Sequence, residues 1–87
     1  MVFFQARQKY PSVFTPDREH LLRMPMKQLA ECLNPDVFWR IHRSLIIRVD
    51  QILKAKRDFR GRYTVTLRQR PERLRSSETY SYQFRPM

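Results

Sequence analysis

The sequence predicts a single, mainly antiparallel β domain that carries one short α-helix. Three observations lead there. Apolar runs of strand length recur along the 87 residues, separated by turn signals at Pro16-Asp17-Arg18-Glu19, at Arg60-Gly61 and around Pro71. One stretch has a helical period, with Met26, Leu29 and Leu33 forming a single apolar stripe. In Tyr63-Thr64-Val65-Thr66-Leu67-Arg68 the alternation is strict, placing Tyr63, Val65 and Leu67 on one face, as in a half-buried strand.

Taken in order, residues 2–6 read as an apolar opening strand. Lys9-Tyr10-Pro11-Ser12 reads as a turn or strand edge, because Pro11 cannot donate to a ladder. The strand resumes at 13–15, turns at 16–19 and returns over 20–24. A helix is expected at about 26–33, with Lys27, Gln28 and Glu31 opposite the stripe. Pro25 suits its start and Asn34-Pro35-Asp36 its end. Two turns of helix are too short to persist alone, so the stripe must pack on a sheet. Residues 37–50 are strand-rich, interrupted by His42-Arg43-Ser44. Residues 51–58 and 62–68 form a hairpin around Arg60-Gly61, which holds the sole glycine. A charged turn at 69–73 leads to a closing segment at 74–80.

The length suits one domain of modest stability, since a chain this small buries roughly 60–65% of its unfolded surface. A hydrophobic share of 41% is enough for a packed core and too high for a disordered tail. Cys32 is the sole cysteine, which excludes an internal disulfide and a multi-cysteine metal site and suits a reducing cytoplasm. It reads as a half-buried small hydrophobe at the flank of the helical stripe. The longest aliphatic run, Leu45-Ile46-Ile47, is far short of a membrane span, and no basic segment precedes an apolar one as in a signal peptide.

Charge is more informative. Eighteen Lys and Arg stand against eight Asp and Glu, for a net +10. Between Arg40 and Arg75 lie twelve basic residues, opposed only by Asp50, Asp58 and Glu72. Arginine predominates, and its rigid fork matches phosphate and guanine edges. Such a balance implies a polyanionic partner, with a solvated basic face or an anionic membrane surface as the other readings.

The most specific stretch is Phe38-Trp39-Arg40-Ile41-His42-Arg43-Ser44-Leu45-Ile46-Ile47-Arg48-Val49-Asp50-Gln51-Ile52. Apolar residues flank a polar triplet of imidazole, guanidinium and hydroxyl. In a β domain such an interruption belongs at a bulge or tight loop, where side chains project from a rigid base. This stretch resembles the central motif of the LytTR family, the DNA-binding domain of a class of bacterial response regulators. Phe3-Phe4-Gln5-Ala6 with Lys9-Tyr10 looks like the family's opening strand. Leu21-Leu22-Arg23-Met24-Pro25-Met26-Lys27-Gln28-Leu29 is similar to the strand and short helix before the motif. Leu74-Arg75-Ser76-Ser77 is similar to the closing segment, with Ser76 where the family has valine. Four segments in register cover essentially the whole chain.

The resemblance implies an elongated fold of small antiparallel sheets, with loops along one side entering successive major grooves of double-stranded DNA. By position, the first loop lies around Lys9, Tyr10 and Pro11. The second centres on Arg43 with His42 and Ser44, and the third lies around Ser77 and Glu78. Arg43 is the expected base-reading residue, because bidentate arginine to guanine is the commonest specific contact. Arg40, Arg48, Arg60, Arg62 and Arg75 are candidate phosphate contacts. Glu78 departs from the Arg or Lys usual there; a carboxylate repels phosphate but can accept from cytosine N4. Contact at the third loop is then lost or passes to Arg75 and Arg85. The resemblance further implies a cytoplasmic transcription regulator of a two-component system, pairing as a homodimer on repeated half-sites. Residues 1–87 would form the DNA-binding domain, with no receiver domain among them.

Other readings are weaker. His42 lies two residues from Ser44, yet no Asp or Glu nearby in sequence could orient the imidazole for nucleophilic catalysis, so no enzyme is expected. His42 fits a structural role, fixing its loop by hydrogen bonding. His20 and His42 alone make no metal site, and no cofactor is expected. Alternation assigns Phe38 to the core and Trp39 to the other face. Trp39, Phe38 and Tyr63 could form a stacking platform for single strands, and charge with aromatics would suffice for a basic RNA- or ribosome-associated β protein. The absence of glycine-rich RNA-binding signatures favours DNA.

Overall fold

The computed structural model describes residues 2–7, 10–77, 79–80 and 84, with Arg7 described by its backbone alone. Among these residues, eight strands form two antiparallel sheets. The larger contains β1 (Phe3–Arg7), β2 (Tyr10–Phe14), β3 (Glu19–Leu21), β4 (Phe38–His42) and β5 (Leu45–Arg48), in the order β3-β2-β1-β5-β4. The smaller is a meander of β6 (Ile52–Arg57), β7 (Tyr63–Leu67) and β8 (Arg73–Arg75). The helix α1 spans Met26–Cys32, and a single 3-10 turn, Val49–Gln51, joins the sheets. The molecule measures 36 × 25 × 24 Å, elongated as expected.

The larger sheet is covered on both faces, which explains its uninterrupted apolar runs. Phe3, Phe14, Leu45 and Ile47 face one way and pack with Val65, Leu67 and Leu74 of the smaller sheet. Their alternates Phe4, Val13 and Ile46 face the other way and receive Leu29 of α1, with Met26, Ala30, Leu33 and Phe38 around it. Three layers result: helix, larger sheet, smaller sheet. Trp39 pairs with Ile47 and lies on the inter-sheet side, meeting Phe84 edge-on at 5.4 Å. Phe84 also stacks on the buried Tyr63 at 4.9 Å, so Trp39 and Tyr63 are committed to packing rather than exposed as a platform for bases.

Several boundaries differ from expectation. β2 begins at Tyr10 and runs straight through Pro11, where a turn or strand edge is expected. The tolerance has a local cause. The N–H of Ala6, the residue opposite Pro11, points away from β2 and donates to the Ser44 carbonyl at 2.8 Å, so no ladder bond to β1 needs a proline donor. The Pro11 carbonyl still accepts from Leu22 N–H at 2.9 Å. β3 is shorter than the expected 20–24 and wholly exposed, ending at Leu21. The helix stops at Cys32, one residue short, because Leu33 is already extended (φ −89°, ψ 142°) ahead of Pro35. The Asn34 side chain then accepts from Asp36 N–H at 2.9 Å, closing the stop signal. Cys32 is exposed, not half-buried, at the last position of the helix. β8 starts at Arg73, inside the expected turn.

The far end of the molecule, away from the β4–β5 turn, is tied by Arg70. Its Nε donates to both Glu72 carboxylate oxygens at 3.0 and 2.7 Å, and its Nη1 to the carbonyls of Thr15 (2.6 Å) and Arg18 (3.3 Å). Its guanidinium also lies 5.0 Å from the Phe14 ring centroid. One arginine thus joins the β7–β8 turn to the β2–β3 turn.

Candidate nucleic-acid interface

Sheet register gathers the described parts of the candidate loops at one end. Gln5 pairs with Leu45 and Arg7 with Tyr10, so the adjoining ends of β1 and β2 lie on the side of the sheet where β4 turns into β5. Ser77 N–H donates to the Ile41 carbonyl at 2.9 Å, and Ser76 N–H to Tyr63 at 2.8 Å. These bonds bring the segment after β8 and the β6–β7 turn to the same end.

The β4–β5 turn is held from three sides. The pairing of β4 with β5 shifts between Arg40 and His42, a bulge where one is expected, and Arg43 and Ser44 make the turn. The Arg40 guanidinium donates to the Arg43 carbonyl at 2.6 Å. Ser44 N–H donates to His42 Nδ1 at 3.2 Å, with the Ser44 hydroxyl 2.9 Å from the same nitrogen. An Nδ1 that accepts from an amide keeps the proton of the neutral ring on Nε2. The third hold is the Ala6 bond to the Ser44 carbonyl. Arg43 itself is exposed, and its side chain has no partner among the described residues. A rigid base with a free guanidinium is pre-organised for binding, since little backbone order is lost on contact.

Beside this turn lies a concavity of about 370 Å³, lined by His42, Ser44, Arg62, Arg73, Arg75 and Ser77 among others. It joins residues expected of the second and third loops with Arg73 and Arg75 of β8 and Arg62 of the β6–β7 turn. Arg73 is absent from the sequence-based candidates because it falls in an expected turn. Pairing of β8 with β7, Thr66 opposite Arg73 and Thr64 opposite Arg75, puts both arginines on the face shown by the threonines. The alternation in β7 was the available signal.

The remaining candidates are dispersed. Tyr10 is half-buried at the start of β2, and Lys9, Glu78 and Arg85 lie outside the described residues. Arg40 braces the turn and lies 5.8 Å from the Tyr80 ring centroid. Arg48 is at the opposite end of β5, paired with Asp50 at 3.0 Å. Arg60 is exposed in the β6–β7 turn, with its guanidinium 5.4 Å from the Phe59 ring. Arg62 and Arg75 line the concavity.

Asp58 organises the β6–β7 turn. Its carboxylate accepts from Arg60 N–H at 2.9 Å and Arg62 N–H at 3.0 Å, and Gly61 supplies the positive φ of 82° that the turn needs. Desolvation pushes the Asp58 carboxyl up, but the Arg62 and Arg60 amides and the Arg75 and Arg62 guanidinium groups outweigh it, holding it below its ordinary value. A depressed carboxyl stabilises the turn above the unfolded-state value, and the effect is lost as pH falls through the folded value. Amide exchange at Arg60 and Arg62 should therefore accelerate in acid beyond the intrinsic trend, and Asp58→Asn should abolish that excess. An unchanged profile in the variant would contradict this role.

Among the described residues no cluster of His, Cys, Asp or Glu could hold a metal ion, and no helix is long and apolar enough to cross a membrane. A layered β fold with a braced, arginine-bearing turn beside a basic concavity makes a domain suited to a polyanionic ligand. Comparison with known proteins gives the family. The model of the LytTr DNA-binding domain matches residues 1–87. A response regulatory protein of Vibrio cholerae, itself uncharacterised, is 38% identical over 69 residues, covering 75% of this chain and 26% of that protein. The LytTr DNA-binding domain of a protein described as a methyl-accepting/DNA response regulator from Bacillus cereus superposes with a TM-score of 0.86. It is 23% identical, and the match covers 95% of this chain and 75% of that one. The chain belongs to the LytTR family of DNA-binding domains. It spans about a quarter of the length of its Vibrio relative.

Proposed function

We propose that this domain reads a specific duplex DNA sequence and serves as the output element of a cytoplasmic transcription regulator. The observation that carries this reading is the β4–β5 turn: Arg40, His42 and Ala6 hold its backbone, while the Arg43 guanidinium stays exposed. Arg43 makes the base contact, and His42 fixes the turn beside it through its bond to the Ser44 amide. Arg62 and Arg75 meet phosphates from the concavity, and Arg60 adds charge at the β6–β7 turn. Ser77 and Ala6 are tied by backbone bonds to Ile41 and Ser44, on the strands and turn that carry Arg43. Arg48, at the far end of β5, has no part in this contact, and Arg40 acts by positioning Arg43. Pairing of two copies on repeated half-sites accords with a domain that presents one reading end.

Selection of bound duplexes from a random pool tests the reading, followed by titration of the selected site against salt. A footprint of six to ten phosphates loses about 10³–10⁵ in affinity between 50 and 200 mM salt. One or two half-sites should appear in the footprint. Equal affinity for selected and random duplex near 150 mM salt would overturn the sequence-reading claim.

A further inference from the structure

The outer face of the smaller sheet carries a second basic surface that the reading turn does not use. Register aligns two rows across it. Lys54 of β6 lies opposite Thr66 of β7, which lies opposite Arg73 of β8; Lys56, Thr64 and Arg75 form the next row. Each row is cation, hydroxyl, cation. The buried Tyr63, Val65 and Leu67 alternate with the threonines and face the core, so Thr64 and Thr66 face outward.

Lys54, Lys56, Thr64, Thr66 and Arg73 line a concavity of about 350 Å³ to which no acidic residue contributes. Lys54, Lys56 and Arg73 have no hydrogen bond or ion pair among the described residues. Like charges gathered on one sheet face repel, and a fold gains nothing from leaving them uncompensated. An anion placed between the rows would relieve the repulsion and accept from the threonine hydroxyls. Arg73 also lines the concavity beside the β4–β5 turn, so the two basic hollows are contiguous.

We infer that Lys54, Lys56 and Arg73, with Thr64 and Thr66 between them, form a sequence-independent clamp on the phosphate backbone of the duplex whose bases the Arg43 turn reads. The inference rests on duplex DNA being the ligand, and it extends the contact across the outer face of the smaller sheet. The clamp supplies affinity and registers the duplex, while base discrimination stays with the turn.

The test replaces all three cations, Lys54→Gln, Lys56→Gln and Arg73→Gln, and measures binding to the selected duplex and a random duplex over a salt series. Each phosphate contact contributes about 0.9 to the slope of log affinity against log salt, so the triple variant should lower the slope by about 2 to 3. Both duplexes should weaken by the same factor, leaving their affinity ratio unchanged, and the urea midpoint should not fall, because all three side chains are exposed and their mutual repulsion is removed. An unchanged slope overturns the clamp. Loss of the affinity ratio with the slope intact also overturns it, since the face would then be reading bases. A third arm uses vesicles containing phosphatidylserine: binding lost in the triple variant, with DNA binding unaffected, assigns the face to membranes instead. If the unaltered domain shows no sequence preference, the reading of Arg43 fails, while the slope on random duplex still decides the clamp.

Discussion

Replacing Arg43 with alanine should flatten base preference at one position of the binding site without unfolding the domain. Good bidentate pairs discriminate against the wrong base by about 1–3 kcal/mol, or roughly 5- to 150-fold. The fold should survive because the Arg43 side chain supports nothing: the bonds that shape the turn run through its carbonyl, through Ser44 and through Ala6. Competition among the selected duplex and its single-base variants measures the effect. The variant should lose preference at one base pair per half-site and retain it elsewhere. Uniform weakening across all sequences would make Arg43 a phosphate contact instead.

The second large effect is on stability. Arg70→Met should destabilise the domain by about 2–3 kcal/mol. The Arg70 side chain is 17% exposed and its Glu72 partner 33%, so the abandoned carboxylate is only partly reached by water. The upper end of the range for broken buried pairs is discounted for that exposure. The carbonyls of Thr15 and Arg18 also lose a donor, and Phe14 loses a cation near its ring. A domain of this length has roughly 4–13 kcal/mol in total, so the loss is a sizeable fraction. Urea unfolding measures it. Adding Glu72→Leu to the variant should recover part of the loss, because the stranded charge goes with it. A change below about 0.5 kcal/mol would show that the tie between the two turns contributes little.

Much of the fold was legible because its signals are local. The stripe of Met26, Leu29 and Leu33 marked the helix, and alternation from Tyr63 to Leu67 marked β7 and its buried face. The misplaced boundaries have long-range causes. Pro11 reads as a turn in isolation, and it lies within a strand because Ala6 spends its N–H on Ser44, thirty-eight residues further along the chain. Arg73 reads as part of a charged loop and becomes strand only through pairing with Thr66.

The site divides in the same way. The polar triplet at 42–44 between apolar strands marked the turn that carries Arg43, and the ordered likeness to LytTR domains marked the family. Neither could distribute the arginines. Composition treats Arg40, Arg43, Arg48, Arg70 and Arg73 as equal units of charge, whereas packing makes them a brace, an exposed side chain, a distal ion pair, a tie between turns and a wall of the basic concavity.

By itself the sequence determined the family, the β character, the place of the helix and the turn that carries Arg43. Those properties depend on residue order over short spans: alternation, stripes, turn residues and motif spacing. Only the tertiary structure decided which cations remain free to meet a ligand and which are spent on the fold. That choice is made by strand register and by carbonyls brought together from distant parts of the chain, and no local pattern records it.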